Sequence, residues 1–135
     1  MSNQADGFER LDEDECWALL EEDEVGRLAV SVNGRPDIFP VNYVVDERSV
    51  VLRTAPGLKL AAAVLGAGVA FEVDGLDHDR HRGWSVVVAG RAEEIEGIEP
   101  RLHAEDLPLR PWTGGGDKPR FVRIVPDRVT GRRLA

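Results

Sequence analysis

The run Arg53-Thr54-Ala55-Pro56-Gly57-Leu58-Lys59 brings together the parts of an anion cradle. A guanidinium and a hydroxyl stand at the end of an expected strand, a Pro-Gly turn exposes backbone N–H groups, and an ammonium falls in the first turn of an expected helix. Helix N-termini favour negative charge, and Arg and Lys add charge-assisted hydrogen bonds, so the chemistry read from this stretch is phosphate binding. A solvated turn with cations on its surface has the same spacing. Residue usage tilts the reading toward the cradle: the chain has 15 Arg but only two Lys, and one of the two is Lys59.

Other candidate chemistries are weaker. Asp77-His78-Asp79-Arg80-His81 sets imidazoles beside carboxylates, but two arginines flank the second histidine and oppose a cation, so a polar strand connection is expected and no metal site. Gly66-Ala67-Gly68 lacks the third glycine of a dinucleotide fingerprint and precedes a strand instead of a helix. Cys16 is the only cysteine, which excludes an intrachain disulfide, and the carboxylates around it suppress thiolate, so it reads as a packing residue. No Ser-His-Asp or Cys-His set stands in a suitable context.

Charge narrows the partners. The net charge is −8, yet residues 1–24 hold ten carboxylates and one arginine, so the rest of the chain is close to neutral. The acidity belongs to one helix, and no basic stripe is apparent that would release counterions from nucleic acid. A nucleic-acid partner is therefore not expected. With 42% hydrophobic residues and 31% charged over 135 positions, the composition fits one domain with its own core, spanning 1–135. No apolar run approaches the roughly 20 residues of a membrane helix, and the start lacks the pattern of a secretory signal, so the expected location is the cytoplasm.

The elements that must position the cradle are short strands. Residues 1–9 are expected to be flexible, and Asp12 with Glu15 forms the spacing of a capping box for a helix over 12–23. VGRLAVSV, Asn33-Gly34 and PDIFPVNYVV then read as a hairpin, since Asn-Gly is the preferred two-residue turn between twisted strands. Asp46-Glu47-Arg48 turns the chain into SVVLRT, LKLAAAVL reads as a short helix at 58–65, and GVAFEVDGL, WSVVVAGRAEEI and RFVRIVPDRVTG return as strands. A helical turn is expected within 97–106 and a loop over 107–119. Six strands with two or three short helices are best closed as a small antiparallel barrel, which removes exposed edges.

In order along the chain, Gly26-Arg27-Leu28-Ala29, Gly34-Arg35-Pro36, Pro40-Val41-Asn42-Tyr43, Arg53-Thr54 with Lys59, Phe71-Glu72-Val73-Asp74, Trp84-Ser85-Val86-Val87-Val88 with Gly90-Arg91-Ala92, and Val129-Thr130-Gly131-Arg132-Arg133 resemble the flavin-binding split-barrel family related to pyridoxamine 5′-phosphate oxidase. The resemblance implies a six-stranded Greek-key split barrel and a homodimer with FMN sites between subunits. It also implies a flavin-dependent oxidoreductase passing hydride between a reduced donor and a small acceptor. Arg53, Thr54 and Lys59 would grip the cofactor phosphate, with Leu58 beside them in the cofactor-binding set. Pro40, Val41, Asn42 and Tyr43 would run along the isoalloxazine, and Trp84 and Ser85 would approach the ring. Short relatives also include proteins that use the deazaflavin F420, and a non-catalytic carrier of flavin or haem is the alternative from another class. The chain departs from the oxidases themselves in having Val129 and Thr130 where they carry an aromatic residue, and Lys59 alone where they carry an adjacent Arg-Lys pair. The resemblance therefore implies flavin binding without implying oxidation of vitamin B6 phosphates.

Overall fold

In the computed structural model, which describes residues 8–54, 68–109 and 120–134, turn chemistry fixes the strand order. Asn33 and Gly34 both adopt positive φ (52° and 75°), the twist that joins β2 (Val25–Val32) to β3 (Arg35–Asp46). Glu47 and Arg48 do the same (52° and 53°) between β3 and β4 (Ser49–Thr54). After residues outside the described set, β5 (Gly68–Asp77) returns beside β2, and β6 (Arg82–Glu94) and β7 (Arg120–Leu134) follow. The meander β2-β3-β4 with β5 laid against β2 is a Greek key. β7 pairs with β4 along its first residues and with β6 along most of its length, which closes a ring of six antiparallel strands. Closure requires β7 to bend past β6, and it does so at a bulge between Ala89 and Gly90. A Cβ on Gly90 would lie 2.0 Å from the Val125 carbonyl oxygen, so the bulge tolerates no side chain there.

The expected mainly β split barrel is the fold found, with two differences at its start. Phe8–Leu11 forms an additional strand, β1, paired with Gly131–Leu134 of β7, so the segment expected to be flexible gives way to a strand at Phe8. Burial of Leu11 in the core and the long C-terminal half of β7 hold it in place. The first helix, α1, spans Glu13–Leu20 and is shorter than the expected 12–23. Its capping box is present, with the Glu15 amide donating to Asp12 Oδ1 at 2.8 Å and the Asp12 amide to Glu15 Oε1 at 3.4 Å. Its end is set by Glu21-Glu22-Asp23-Glu24, four carboxylates at the negative pole of the helix dipole.

Alternation sorts each strand into an inner and an outer face. Leu28, Val30, Val50, Leu52, Phe71, Val73, Val86, Val88, Val122 and Ile124 fill the barrel, and Cys16, Trp17 and Leu20 of α1 join the same core. Burial and then Asp12, Glu15 and Glu13 push the Cys16 thiol up, in keeping with its packing role. A second cluster, Val51, Ala104, Leu109 and Phe121, seats α2 (Ile98–Asp106) on the outside of β4 and β7.

That helix is also tied down by charge. Asp46 Oδ2 accepts from Arg123 Nη2 at 3.0 Å and lies 3.0 Å from His103 Nε2, while Arg123 Nη1 donates to Ser49 Oγ. Burial pushes the Asp46 carboxyl up, but hydrogen bonds from His103 and Arg123, with their charge, more than offset this and hold it below its ordinary value. A lowered folded pKa means stability that is present above the unfolded value, near 3.9, and lost as pH falls through the folded one. Asp46→Asn is expected to cost about 1–2 kcal/mol at pH 7, a melting-point drop of roughly 3–8 °C. The difference from the parent should close as pH falls below the ordinary carboxylate range, in thermal unfolding followed by circular dichroism.

Candidate functional site

The barrel is split between β3 and β4. Their ladder runs only from Tyr43↔Leu52 to Asp46↔Ser49, after which β4 continues along β7 as Arg53↔Phe121 and Thr54↔Arg120. β3 stays with β2 through Val41↔Gly26 and Pro40↔Arg27 to the hairpin. The Tyr43 amide donates to the Glu24 carbonyl at 3.0 Å, on the β2 side. By antiparallel alternation the even-numbered positions of β3 turn their backbone toward the other edge, which faces the split. Two of these are Pro36 and Pro40, which have no N–H to leave unmet there, and the Ile38 amide donates to Asp37 Oδ1 at 2.9 Å. At these three positions the edge offers carbonyl acceptors. Arg53 is half-buried at the mouth of the split and makes no ion pair with the described residues.

Of the residues picked out in sequence, Pro40, Val41 and Asn42 thus lie across the split from Arg53 and the backbone of Thr54. Leu58 and Lys59 lie outside the described residues. Tyr43 ends the same stretch of β3 and turns its side chain into the core. Its ring is 2% exposed, meets Phe71 edge-on at a centroid distance of 4.8 Å, and its hydroxyl donates to the Leu20 carbonyl. Burial, with the charge of Asp23, pushes the phenol well above its usual range, so it remains a donor. The last carbonyls of a helix lack partners within it, and Tyr43 supplies one to α1.

Trp84 and Ser85 sit elsewhere. Arg53 is opposite Phe121 on β7, whereas Trp84 is opposite Arg133, twelve positions on. At about 3.3 Å per residue that is roughly 40 Å of strand. The Trp84 indole lies over Gly75, where a Cβ would come within 2.5 Å of its Nε1, and borders an open cavity of about 480 Å³ with Leu76, Arg82, Gly83, Arg133 and Leu134. Ser85 faces outward into a smaller cavity, about 180 Å³, with Phe8, Asp74 and Arg132. The expected residues therefore fall into two groups, at the two ends of β7.

Sequence reading passed over a third feature. Phe8, Arg10, Arg128, Thr130 and Arg132 line a cavity of about 440 Å³ on the outer face of β1 and β7. The signal was the period of two in Phe8-x-Arg10 and Arg128-x-Thr130-x-Arg132, which puts each set on one strand face.

Residues 12–133 match the family model described as pyridoxamine 5′-phosphate oxidase. The chain belongs to the pyridoxamine 5′-phosphate oxidase family. A curated member-like relative, the uncharacterized protein Rv0080 of Mycobacterium tuberculosis, is 38% identical over 129 residues, covering 92% of this chain and 84% of its own. Among solved structures, the FAD binding protein from Mycobacterium smegmatis is 38% identical, with a TM-score of 0.80 over 93% of this chain and 96% of its own. A FAD-binding protein from Mesorhizobium loti is 26% identical, with a TM-score of 0.80 over 95% and 99%. These solved relatives share the overall arrangement of strands. No helix among the described residues is long and apolar enough to cross a membrane.

The role given to Tyr43 is testable. Tyr43→Phe keeps the ring packing and removes the bond to Leu20, so unfolding by urea should show a loss of about 1–2 kcal/mol with an unchanged m-value. Any flavin affinity of the folded protein should stay within about twofold of the parent.

Proposed function

We propose that this chain is a flavin-binding oxidoreductase that acts as a homodimer, with each cofactor site built from the β3–β4 split of one subunit and the Trp84–Ser85 end of the other. The observation that carries the reading is the partition of the site. Arg53 and the acceptor edge of β3 lie at one end of β7, and Trp84 and Ser85 at the other, so a second copy is the simplest way to unite them. The FAD-binding relatives support a flavin as the ligand.

The residues at the split suit such a group. Arg53, with no carboxylate neutralising it among the described residues, can take a phosphate, and Lys59 belongs to the same cradle by sequence. The carbonyls of Ile38 and Pro40 can accept from an N–H on a planar ring's polar edge, and the half-buried Phe39 and Val41 pack against the core beneath. When bound, a flavin supplies hydride transfer through N5. The chain's own part is to hold the ring, keep water from one face and set positive charge near it. The flavin is FMN or FAD: the expectation from sequence was FMN, and the relatives' ligand weighs toward FAD. F420 is the remaining alternative cofactor.

Absorbance titration of the purified protein with FMN, FAD and F420 tests this directly. Saturable binding of one flavin per chain is expected, weakened at least about tenfold by Arg53→Ala or Lys59→Ala. Anaerobic mixing of the loaded protein with NADH or NADPH should bleach the flavin band, and air or a small acceptor should restore it repeatedly. Stoichiometric binding without turnover would point to a carrier, and absence of binding would remove the flavin reading.

A further inference from the structure

Among the described residues, the cavity on the outer face of β1 and β7 is lined by three guanidiniums, from Arg10, Arg128 and Arg132, and by no carboxylate. In a chain of net charge −8 this is an uneven placement. Arg10 and Arg132 are register partners on adjacent antiparallel strands, so two like charges stand directly opposite each other, an arrangement that costs stability unless an anion lies between them. Arg10 and Arg128 make no ion pair or hydrogen bond with the described residues, although nearby arginines do: Arg133 reaches Glu15 at 3.8 Å, and Arg27 reaches Glu72 at 3.2 Å. Arg132 lies over the Phe8 ring, 5.6 Å from its centroid, which holds the guanidinium by a cation–π contact. Asp74 shares the smaller adjoining cavity with Arg132 and does not line this one.

From this geometry we infer that the Arg10–Arg128–Arg132 cavity is a binding site for a nucleoside pyrophosphate. Arg128 and Arg132 project from the same face four residues apart, about 13 Å along the strand, a span that two linked phosphates bridge better than one. Arg10 adds a second donor fork beside Arg132. Thr130 between the two β7 arginines offers a hydroxyl, and the Phe8 ring forms an apolar wall at the end next to Arg132. The volume, about 440 Å³, is in the range of small-molecule sites. The cavity lies at the far end of β7 from the β3–β4 split and adjoins the Ser85 cavity through Phe8 and Arg132.

Such a pyrophosphate has two sources, the ADP half of a dinucleotide cofactor and a free nucleotide acting as substrate or donor. The probe is therefore ADP itself, titrated calorimetrically into the full-length chain at low salt, with adenosine and inorganic pyrophosphate as comparisons. ADP and pyrophosphate are expected to bind and adenosine not to. Arg10→Ala/Arg128→Ala should lose at least about 30-fold in ADP affinity, while Arg101→Ala on the exposed face of α2 should lose none; circular dichroism confirms that each variant is folded. If the double variant also loses affinity for FAD but not for FMN, the pyrophosphate belongs to the cofactor. If it loses ADP but neither flavin, the source is a free nucleotide. ADP that does not bind the parent, or binds the double variant equally well, overturns the site. So does a variant that alters only self-association, because the arginines would then serve a contact between chains.

Discussion

The separation of β3 from β4 beyond Tyr43 and Leu52 is the constraint on which the arrangement rests. A closed barrel has no edges, and a sheet edge left open in water invites unwanted pairing. Here the edge is disarmed from within the strand: Pro36 and Pro40 fall at positions whose amides would face the split, and Asp37 satisfies the one at Ile38. What remains at these positions is a row of carbonyls beside a half-buried arginine, unattractive to another strand and suitable for a polar ring with a phosphate. Tyr43 stabilises the point of divergence, locking the last shared residue of β3 to Phe71 and to the end of α1.

Closure of the ring by β6 and β7 has the opposite effect on the site. These two long strands hold the barrel together, and because they are long they carry Trp84, Ser85 and the C-terminal arginines far from Arg53. The same length gives β1 a surface to pair with and creates the arginine-lined face between them. One structural feature, the extension of β7 beyond its pairing with β4, thus accounts for barrel closure, for the separation of Arg53 from Trp84 and for the additional cavity.

Much of this was legible in the sequence where the cause is local. Asn33-Gly34 marked a hairpin because those residues readily take the positive φ that matches strand twist, and Asp12 with Glu15 marked a helix start because both groups satisfy backbone donors within one turn. The barrel followed from counting such segments. Features whose cause is distant were not legible. Phe8–Leu11 is a strand only because β7 reaches it, and Arg10 and Arg128 share a cavity although they are more than a hundred positions apart. The burial of Tyr43 was hidden for a related reason: the side-chain face of a residue at a fork depends on which neighbour the strand keeps. Ordered likeness to a family reached the fold, but not the pairing of β1 with the far end of β7.

The central claim, that one chain carries two complementary halves, is tested most directly by mixing variants. Arg53→Ala damages one half and Trp84→Ala/Ser85→Ala the other, so each protein alone should bind flavin poorly. After the two are unfolded together and refolded, half of the dimers should be mixed and each mixed dimer should hold one intact site, restoring about a quarter of the parent's flavin-binding capacity. No recovery in the mixture, or full flavin binding by a chain that remains monomeric, would contradict the account.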